Sequence, residues 1–525
     1  MKSIESPFPP FQNVTERDYS KPELVEKMKK ALDKVKSEFG TLYPLYIDGK
    51  DVMTERKITS TNPARPTTEV IGQVGCAGRA EAEMAIAAAN KALPGWRATS
   101  PEKRAEYILK AADIAEAERD ELAAMMVYEV GKNWREADID VCEGIDFLRF
   151  YAKEMIRLGA PVRLGSASGE TNYHFYEPKG VAVVISPWNF PWAITVGMAV
   201  AAIVAGNPVL LKPATQSPII AAMFVDIMKR AGLPAGVLNF IPGPGSEIGD
   251  FIVEHPNINM IVFTGSKEIG CRIYRLAAQV SDGQTHLKKV ISEMGGKNGL
   301  IVDKEADLDL AAQSACVSAF GFQGQKCSAG SRAIVHQDVY DTFLEKLIAC
   351  TEKLTIGFTE DLAIYNGPVI DANAYKSIKN YIEIGRKEGR VVFEKDCSHL
   401  GDGYFISPTI IADIKPDAVI AKEEIFGPVV AVIKARDIDE AIDIANSTDF
   451  ALTGGVISRN KETIERVIRE FRVGNLYINR KITGAIVARQ PFGGFKMSGI
   501  GSKAGGHDYL FHFMDPRTVT VNENA

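Results

Sequence analysis

Residues 181–211 read VAVVISPWNFPWAITVGMAVAAIVAGNPVLL and contain no charged side chain, although the stretch is longer than a membrane span requires. Pro187, Pro191 and Pro208 interrupt it, and a proline inside a helix removes a hydrogen bond and clashes with the preceding turn. The prolines therefore divide the stretch into a short β-branched strand, a loop, an apolar helix and a second strand. Such a unit is typical of a parallel sheet buried inside an α/β domain, and it argues against a spanning helix.

The same alternation continues toward the C-terminus. Strand-like runs VLNFIP and NMIVFTGS are separated by helical patterns near 218–231 and 246–254. A second series begins near 297 with NGLIVD and continues through AIVHQ, VVAVIKARD, GGVIS and NLYIN. We therefore predict an α/β fold with two domains, each built on a parallel sheet covered by helices.

The two ends of the chain carry other patterns. KPELVEKMKKALDKVKSEFG has apolar residues at helical spacing, which predicts an amphipathic helix, and YPLYIDGKDV predicts a hairpin that turns at Asp48-Gly49. Helical spacing also dominates from about 80 to 160. The C-terminal RTVTVNENA alternates like a strand, and we expect it to add as an edge strand to a partner subunit.

Composition places the chain among ordinary globular enzymes of two or three domains: 525 residues, 46% hydrophobic, 24% charged, net charge -6. The mild acidic excess gives no reason to expect a nucleic acid or a membrane as partner. Seven cysteines, an odd number without any C-x-x-C, argue against a disulfide framework or a metal site. The N-terminus has no apolar signal-like stretch, so we predict a cytoplasmic, reducing location.

Three residues are candidates for catalysis, and each has a plainer structural alternative. Cys327, in GFQGQKCSAGSR, follows Lys326, and a nearby cation would favour the thiolate that attacks carbonyls; the alternative is a buried structural cysteine. Glu293, in VISEMGGKN, could have its pKa raised beside an apolar wall and act as a general base, or be an exposed loop residue. Asn189, in SPWNFPW, either caps a turn or directs its amide at a developing oxyanion.

Candidates for cofactor binding are individually weak. FTGSKEIG places Gly265 and Ser266 at the start of a helix, where phosphate can bind, but it is not G-x-G-x-x-G, and an ordinary helix cap explains it equally well. Lys212, in LLKPA, could hydrogen-bond a ribose, although a solvated lysine is the default. Glu424 and Phe426, in KEEIFGPVV, could contact the second ribose and the nicotinamide, or form a turn before a strand.

Taken together, SPWNFPW, LLKPA, FTGS, SEMGGKN, GQKCS, EEIFGPV and PFGGFKMSG occur in the order and at roughly the spacing found in the aldehyde dehydrogenase superfamily. The chain resembles that superfamily over nearly its whole length. The resemblance implies an aldehyde dehydrogenase-like α/β fold of two Rossmann-related domains plus a small β oligomerisation element. It implies a dinucleotide-binding domain over 1–290 with an oligomerisation hairpin near 160–178, a catalytic domain over 291–480, and a segment over 481–525 that holds the substrate loop, a return to the cofactor domain and the C-terminal oligomerisation strand.

The resemblance also implies NAD(P)-dependent oxidation of an aldehyde. Cys327 would attack the carbonyl, and the Asn189 amide with the backbone N–H of Cys327 would hold the oxyanion. Loss of hydride to the nicotinamide would leave a thioester, and Glu293 would activate the water that hydrolyses it. The cofactor-binding residues would be Ser186, Pro187, Trp188, Lys212, Thr215, Gly265, Ser266, Glu424 and Phe426. Many NAD-preferring members have an acidic residue where this chain has Thr215, so NAD is expected but NADP stays open.

NLYINRKITGAIVARQPFGGFKMSGIGSKAGG resembles the branch of the superfamily that oxidises L-glutamate γ-semialdehyde to glutamate in proline degradation. In that branch a backbone loop binds the α-carboxylate, a hydroxyl beside the nucleophile assists it, and two aromatic rings enclose the aliphatic chain. The substrate-binding residues would be Phe190, Ser328, Thr483, Gly484, Ala485 and Phe492.

Several alternatives stay open. The substrate could be another small aldehyde or semialdehyde. A CoA-acylating dehydrogenase is less favoured, because such members generally lack the carboxylate at Glu293, and a non-catalytic protein should have lost Cys327. We expect a homo-oligomer, either a dimer or an assembly of dimers.

Overall fold

The computed structural model describes residues 11–524. The first ten residues, with which the predicted 1–290 domain begins, lie outside the described residues, as does Ala525. Among residues 11–524, every helix is too short or too polar to span a membrane.

Residues 11–178 are mainly helical, as predicted for the region from 80 to 160. The helices are α1 (Pro22–Ser37), α2 (Arg79–Ala98), α3 (Pro101–Ala117), α4 (Arg119–Val130) and α5 (Trp134–Gly159). The strands are β1 (Thr41–Tyr43), β2 (Leu45–Ile47), β3 (Lys50–Val52), β4 (Lys57–Thr61), β5 (Val70–Gly75), β6 (Val162–Arg163) and β7 (Glu170–Pro178). The predicted hairpin is confirmed, because β2 and β3 are antiparallel and Asp48 and Gly49 have the positive φ values of a two-residue turn.

Residues 182–293 build the first large sheet. They form β8 (Ala182–Ile185), α6 (Ala193–Val204), β9 (Val209–Lys212), α7 (Pro218–Ala231), β10 (Leu238–Phe240), α8 (Asp250–Glu254), β11 (Met260–Thr264), α9 (Lys267–Ala277) and β12 (Lys289–Glu293). The charge-free stretch is thus strand, loop, helix and strand, as predicted. The sheet order is β12-β11-β8-β9-β10-β2-β3, with the first five strands parallel.

The apolar character of these strands follows from burial on both faces. Val184 and Leu211 pack into one core, against α5, α6 and α7, whereas Val183 and Leu210 pack into a second core on the opposite face. Because neighbouring residues of a strand point to opposite faces, a strand covered by helices on both sides must be apolar at every position.

Residues 299–478 build the second large sheet. They form β13 (Gly299–Val302), α10 (Leu308–Phe320), β14 (Arg332–His336), α11 (Tyr340–Glu352), α12 (Ala372–Glu388), β15 (Arg390–Phe393), β16 (Thr409–Ala412), α13 (Val419–Lys422), β17 (Val429–Ala435), α14 (Ile438–Asn446), β18 (Phe450–Ala451), β19 (Thr453–Ile457), α15 (Lys461–Glu470) and β20 (Asn475–Ile478). The order is β15-β16-β17-β14-β13-β19-β20, parallel except for β15. The domain boundary at 290/291 stays a prediction; β12 crosses it as part of the first sheet.

Three smaller sheets complete the fold. β1, β5 and β4 form one, and β18 pairs with β21 (Phe495–Lys496) in another. The third is antiparallel and has the order β22-β7-β6, where β22 is Met514–Asn522. The predicted hairpin near 160–178 is β6 and β7.

The C-terminal strand pairs within its own chain and forms the edge of its sheet. β22 pairs along its whole length with β7 of the same chain, from Met514 beside Pro178 to Asn522 beside Glu170. The reason is the preceding turn: the Phe513 carbonyl accepts hydrogen bonds from the Asn207 side chain and the Lys179 N–H, which hold the start of β22 next to the end of β7. One edge of β22 is therefore occupied by β7, and association of its other edge with a partner subunit stays a prediction.

Candidate active site

A cleft of about 820 Å³ opens where strands β8, β9, β11 and β12 of the first sheet end. The chain order reverses between β8 and β11, and ligands of open α/β sheets bind outside the carboxyl ends of strands at such a reversal. All nine residues predicted to bind the cofactor line this one cleft: Ser186, Pro187, Trp188, Lys212, Thr215, Gly265, Ser266, Glu424 and Phe426. The volume is that of a cofactor site.

The helix start predicted to face phosphate is present at one wall of the cleft. Ser266 caps α9, and its hydroxyl accepts a hydrogen bond from the Ile269 N–H at 3.4 Å. A second turn, which includes Gly245, Ser246 and Gly249, also lines the cleft and was missed. Its signal was in IPGPGSEIG, a glycine-rich run directly after strand β10.

Lys212 ends strand β9 and is buried in the cleft wall rather than solvated. Burial lowers the pKa of its ammonium to about 8, because the charged form is the one that loses hydration. The default of a solvated lysine is therefore wrong. Thr215 lies near it in the cleft, and its hydroxyl donates to the Gln216 side chain at 3.3 Å.

Glu424 reaches the cleft from the second sheet. Its carboxylate accepts a hydrogen bond of 2.9 Å from the Gly296 N–H, and burial raises its pKa to about 7. The backbone passes close on both sides: a methyl group on Gly295 would collide with this carboxylate, and one on Gly296 would collide with the Cys327 carbonyl. The double glycine after β12 is therefore what lets the two sheets meet at the site.

The aromatic wall of the cleft consists of Trp188 and Phe426. Their rings meet edge to face with centroids 5.4 Å apart. Phe426 has a φ of 55°, which is unusual for an aromatic residue. Its ring lines the cleft.

Cys327 lines the cleft together with the predicted cofactor-binding residues, and its role as the nucleophile stays a prediction. Burial raises the pKa of its thiol to about 12, and the charges of Glu424, Glu293 and Glu143 add to the rise. A hydrogen bond from the Ser328 N–H opposes it. At neutral pH Cys327 is therefore a thiol rather than a thiolate.

The expected effect of Lys326 on the nucleophile is wrong. Its ammonium contacts both carboxylate oxygens of Glu136, at 2.7 and 2.6 Å. Because this partner neutralises the lysine, the charges that act on Cys327 are the nearby carboxylates, and they favour the thiol over the thiolate.

Asn189 is buried beside the nucleophile and lines the cleft. Its amide nitrogen donates to the Gln325 carbonyl at 3.0 Å, two residues before Cys327. One N–H of the amide thus joins the SPWNFPW loop to the nucleophile loop, and the amide has a second N–H to donate.

Asn298 holds the loop that contains Cys327, and it was missed from the sequence. Its amide nitrogen donates to the carbonyls of Cys327 and Ala329, both at 2.8 Å, and its oxygen accepts from the Thr453 N–H at 2.9 Å. The signal was an asparagine at the start of an apolar strand, because a buried amide in such a place needs several partners.

Glu293 ends strand β12, but its side chain is not part of the cleft lining. The carboxylate accepts hydrogen bonds from the Gly494 N–H at 3.3 Å and the Ser502 hydroxyl at 3.0 Å. Burial raises its pKa to about 8, as predicted for a carboxyl beside an apolar wall, and the alternative of an exposed loop residue is wrong.

Glu143 is a second missed carboxyl, on helix α5. Burial raises its pKa to about 8, and its charge contributes to the raised pKa of Cys327. A glutamate within the run VCEGIDFL was the available signal, because it lies among residues that helix α5 buries.

Phe190 and Phe492, predicted to enclose the substrate chain, lie outside the lining of the cofactor cleft. The Phe190 ring has the Lys132 ammonium 4.0 Å above it and the Phe322 ring edge to face at 6.4 Å. Phe492 exchanges two backbone hydrogen bonds of 2.8 Å with Ala504.

The predicted carboxylate loop follows β20. The Arg480 guanidinium donates to the carbonyls of Thr483 and Gly484, at 3.3 and 3.4 Å, and Gly484 has a φ of 76°. Ala485 completes the loop. Ser328 is buried, and its carbonyl accepts a 3.3 Å hydrogen bond from the Thr453 hydroxyl. None of these residues lines the cofactor cleft, and their roles stay predictions.

Nowhere in residues 11–524 do three or more His, Cys, Asp or Glu side chains converge in a way that could hold a metal ion.

The chain belongs to the aldehyde dehydrogenase family, whose sequence model matches residues 50–519. The predicted fold and the predicted class of enzyme are thereby confirmed. Among relatives, it is 53% identical over 513 residues to 1-pyrroline-5-carboxylate dehydrogenase 1 of Halalkalibacterium halodurans, covering 97% of this chain and 99% of that protein. It is 55% identical over 492 residues to 1-pyrroline-5-carboxylate dehydrogenase of Geobacillus thermodenitrificans, covering 93% and 95%.

A solved structure, 1-pyrroline-5-carboxylate dehydrogenase from Thermus with bound NAD, superposes with a TM-score of 0.96 at 47% identity. The match covers 98% of this chain and 100% of that one. Betaine aldehyde dehydrogenase from Staphylococcus aureus in complex with NAD+ matches with a TM-score of 0.87 at 28% identity, over 95% of this chain and 98% of that one.

Proposed function

We propose that the protein oxidises L-glutamate γ-semialdehyde, the open form of 1-pyrroline-5-carboxylate, to L-glutamate with NAD, as a step of proline degradation. The observation that carries the proposal is the cleft that Cys327 and Asn189 share with nine residues suited to a dinucleotide. The relatives named 1-pyrroline-5-carboxylate dehydrogenase support the choice of substrate.

The residues present fit NAD. The start of α9 with Ser266 offers N–H groups to a pyrophosphate, and Lys212 and Glu424 are buried polar groups that two riboses would satisfy. Phe426 would lie behind the nicotinamide. When bound, the dinucleotide accepts a hydride from the substrate carbon. Thr215 in place of an acidic residue does not repel a 2′-phosphate, so NAD is proposed as the preferred and not the exclusive cofactor.

The covalent steps belong to Cys327 and its neighbours. The thiol must lose its proton before it attacks the aldehyde to give a thiohemiacetal. The second N–H of Asn189 and the backbone N–H of Cys327 would hold the oxyanion, and each such donor stabilises a transition state by about 3 kcal/mol. Oxidation then leaves a thioester on Cys327.

Glu293 is the proposed base for thioester hydrolysis. A pKa of about 8 suits a base that must take a proton from water and release it near neutral pH. In this structure Gly494 and Ser502 hold its carboxylate away from the cleft lining, so the hydrolytic step requires the side chain to rotate toward Cys327.

The carboxylate loop would recognise the amino acid end of the substrate. Arg480 binds the carbonyls on one side of the loop, and the N–H groups of residues 483–485 would bind the α-carboxylate. The Ser328 hydroxyl would join them, with Phe190 and Phe492 on either side of the aliphatic chain.

We also propose that the protein is a homo-oligomer and that it works in the cytoplasm. The outer edge of β22 and the exposed apolar residues Val162 and Val521 of the same small sheet support self-association. All seven cysteines are free thiols, as expected for a reducing compartment.

The test measures NADH production from glutamate semialdehyde, with succinate semialdehyde and simple aliphatic aldehydes for comparison. Cys327→Ala should abolish turnover and retain dinucleotide binding, whereas Cys271→Ala, at an exposed cysteine, should behave like the parent protein. Glu293→Gln should give one burst of NADH and then stall. Retained turnover in Cys327→Ala, or a preference for another aldehyde, would contradict the proposal.

A further inference from the structure

A buried lysine ammonium lies between the two loops that carry Asn189 and Cys327. Lys132 belongs to the short segment between α4 and α5, and its side chain is completely buried. Its ammonium is 4.0 Å from the centre of the Phe190 ring and 4.7 Å from the centre of the Phe322 ring. Phe190 directly follows Asn189, and Phe322 lies five residues before Cys327. One cation therefore contacts an aromatic ring from each loop.

The same ammonium is bound to a carboxylate of helix α5. One oxygen of Asp140 accepts a hydrogen bond of 2.7 Å from Lys132, and the other accepts one of 2.7 Å from the Ala193 N–H. Ala193 is the first residue of α6 and comes directly after the SPWNFPW loop. Because both side chains of the ion pair are completely buried, water does not compete for these contacts. The pair therefore attaches the end of the loop that carries Asn189 to α5.

The turn that contains Phe322 has an unusual backbone conformation. Phe322, Gln323 and Gly324 have successive φ values of 48°, 55° and 65°. Such values are unfavourable for the two residues that have side chains, so surrounding contacts must hold the turn. The Gln323 side-chain amide donates to the Gly131 carbonyl at 3.0 Å, and the Lys132 ammonium lies over the Phe322 ring. Two neighbouring residues of the α4–α5 segment thus hold this turn.

Two hydrogen bonds continue from the turn to the amide proposed to bind the oxyanion. The Gln325 N–H donates to the Phe322 carbonyl at 2.9 Å, and the Gln325 carbonyl accepts from the Asn189 amide at 3.0 Å. The Asn189 amide is therefore connected both to its own loop and to the turn before Cys327. A shift of the Phe190 or the Phe322 ring would change the direction of the second N–H of this amide.

We propose that Lys132 is a positioning residue, an inference that rests on the proposed function. Its ammonium holds the Phe190 and Phe322 rings and thereby places the Asn189 amide beside the sulfur of Cys327. Lys132 itself does not line the cofactor cleft. Its effect is greatest when the oxyanion forms, because a donor stabilises that charge only from within hydrogen-bonding distance.

The test removes the cation without leaving an unpaired buried charge. The double variant Lys132→Met/Asp140→Asn replaces both charges, and the new amide oxygen can still accept from the Ala193 N–H. The matched control is Arg119→Met/Asp138→Asn. It removes another buried ion pair, of 2.6 Å, which also joins α4 to α5 but lies outside the lining of the cleft.

Each variant is compared with the parent protein on the aldehyde that the parent oxidises fastest, and NAD titration counts the folded sites. We expect Lys132→Met/Asp140→Asn to lower kcat per site by at least about tenfold at an unchanged dinucleotide Kd. The control should keep the kcat of the parent. Iodoacetamide labelling of Cys327 should stay as slow as in the parent, whereas a general loosening of the site would accelerate it.

Phe322→Leu is a second test that keeps both charges and removes one ring. It should lower kcat to a similar extent, and its combination with Lys132→Met/Asp140→Asn should add little further, because both changes break the same connection. This variant also decides the question if the double variant does not fold.

A parent-like kcat in Lys132→Met/Asp140→Asn or in Phe322→Leu would overturn the proposal. So would an equal loss of kcat in Arg119→Met/Asp138→Asn, which would mean that the loss of any buried ion pair between these helices has the same effect. The choice of aldehyde by the parent protein judges the proposed function separately, and its failure would leave the comparison between variants valid.

Discussion

In the dinucleotide-free protein, Cys327 should be alkylated far more slowly than an ordinary cysteine. Burial and three neighbouring carboxylates raise the pKa of its thiol from the ordinary 9.0 to about 12. Only the thiolate is nucleophilic, and a rise of about three units lowers the thiolate fraction at neutral pH by roughly a thousandfold. The effect is largest at low pH and disappears as pH approaches the raised pKa.

The assay follows iodoacetamide labelling of the Cys327 peptide by mass spectrometry from neutral to strongly alkaline pH. The rate should rise about tenfold for each pH unit across the whole range, because deprotonation limits it throughout. Glu143→Gln removes a carboxyl whose own pKa is about 8, so it should increase the rate above about pH 8, where that carboxyl is charged, and change it little at neutral pH. The exposed Cys271 of the same molecule is the internal reference.

Two outcomes would refute this reasoning. One is a plateau of the Cys327 rate at the pH where ordinary thiols reach theirs. The other is equal labelling of Cys327 and Cys271 at neutral pH, which would mean that the carboxylates and the enclosed cleft do not control the protonation of the nucleophile.

Three substitutions test other contacts. Asn298→Ala removes three hydrogen bonds around the Cys327 loop, so steady-state kinetics should show a lower kcat while the dinucleotide Kd stays unchanged; a Kd effect alone would contradict a role in positioning the nucleophile. Thr215→Glu places a carboxylate in the cleft and should lower kcat/KM for NADP about tenfold relative to NAD. Asp138→Ala leaves the buried Arg119 guanidinium without its carboxylate and should lower the free energy of unfolding by about 3–5 kcal/mol. Denaturant titration measures this change, and Asp309→Ala, at an exposed carboxylate, is the control.

The cofactor cleft could be predicted from sequence because its residues follow strands. Ser186, Lys212 and Gly265 each come directly at or after the end of an apolar strand, and parallel strands place those ends along one edge of a sheet. The end of each strand, which can be recognised from the local sequence, therefore predicts where the residue lies in the fold. The motifs that carry the family resemblance lie at these same strand ends.

The contacts of the active site could not be predicted in the same way, because they join distant parts of the chain. Lys326 precedes the nucleophile in sequence, yet its charge is bound to Glu136 on α5. The hydrogen bonds to Glu293 come from Gly494 and Ser502, about two hundred positions later. The charges near Cys327 depend on such long-range partners, so the expectation of an activating cation was wrong. Cys327 itself nevertheless lies in the cleft.

The double glycine after β12 restricts how this enzyme can be altered. Gly295 lies against the Glu424 carboxylate and Gly296 against the Cys327 carbonyl, both from the second-sheet part of the chain, so a methyl group on either glycine would displace a group of the site. Random mutagenesis followed by selection for new aldehydes should therefore return glycine at both positions, although neither residue has a reactive side chain. Changes in specificity will have to come from the more distant walls of the site, where side chains can be exchanged without separating the halves of the protein.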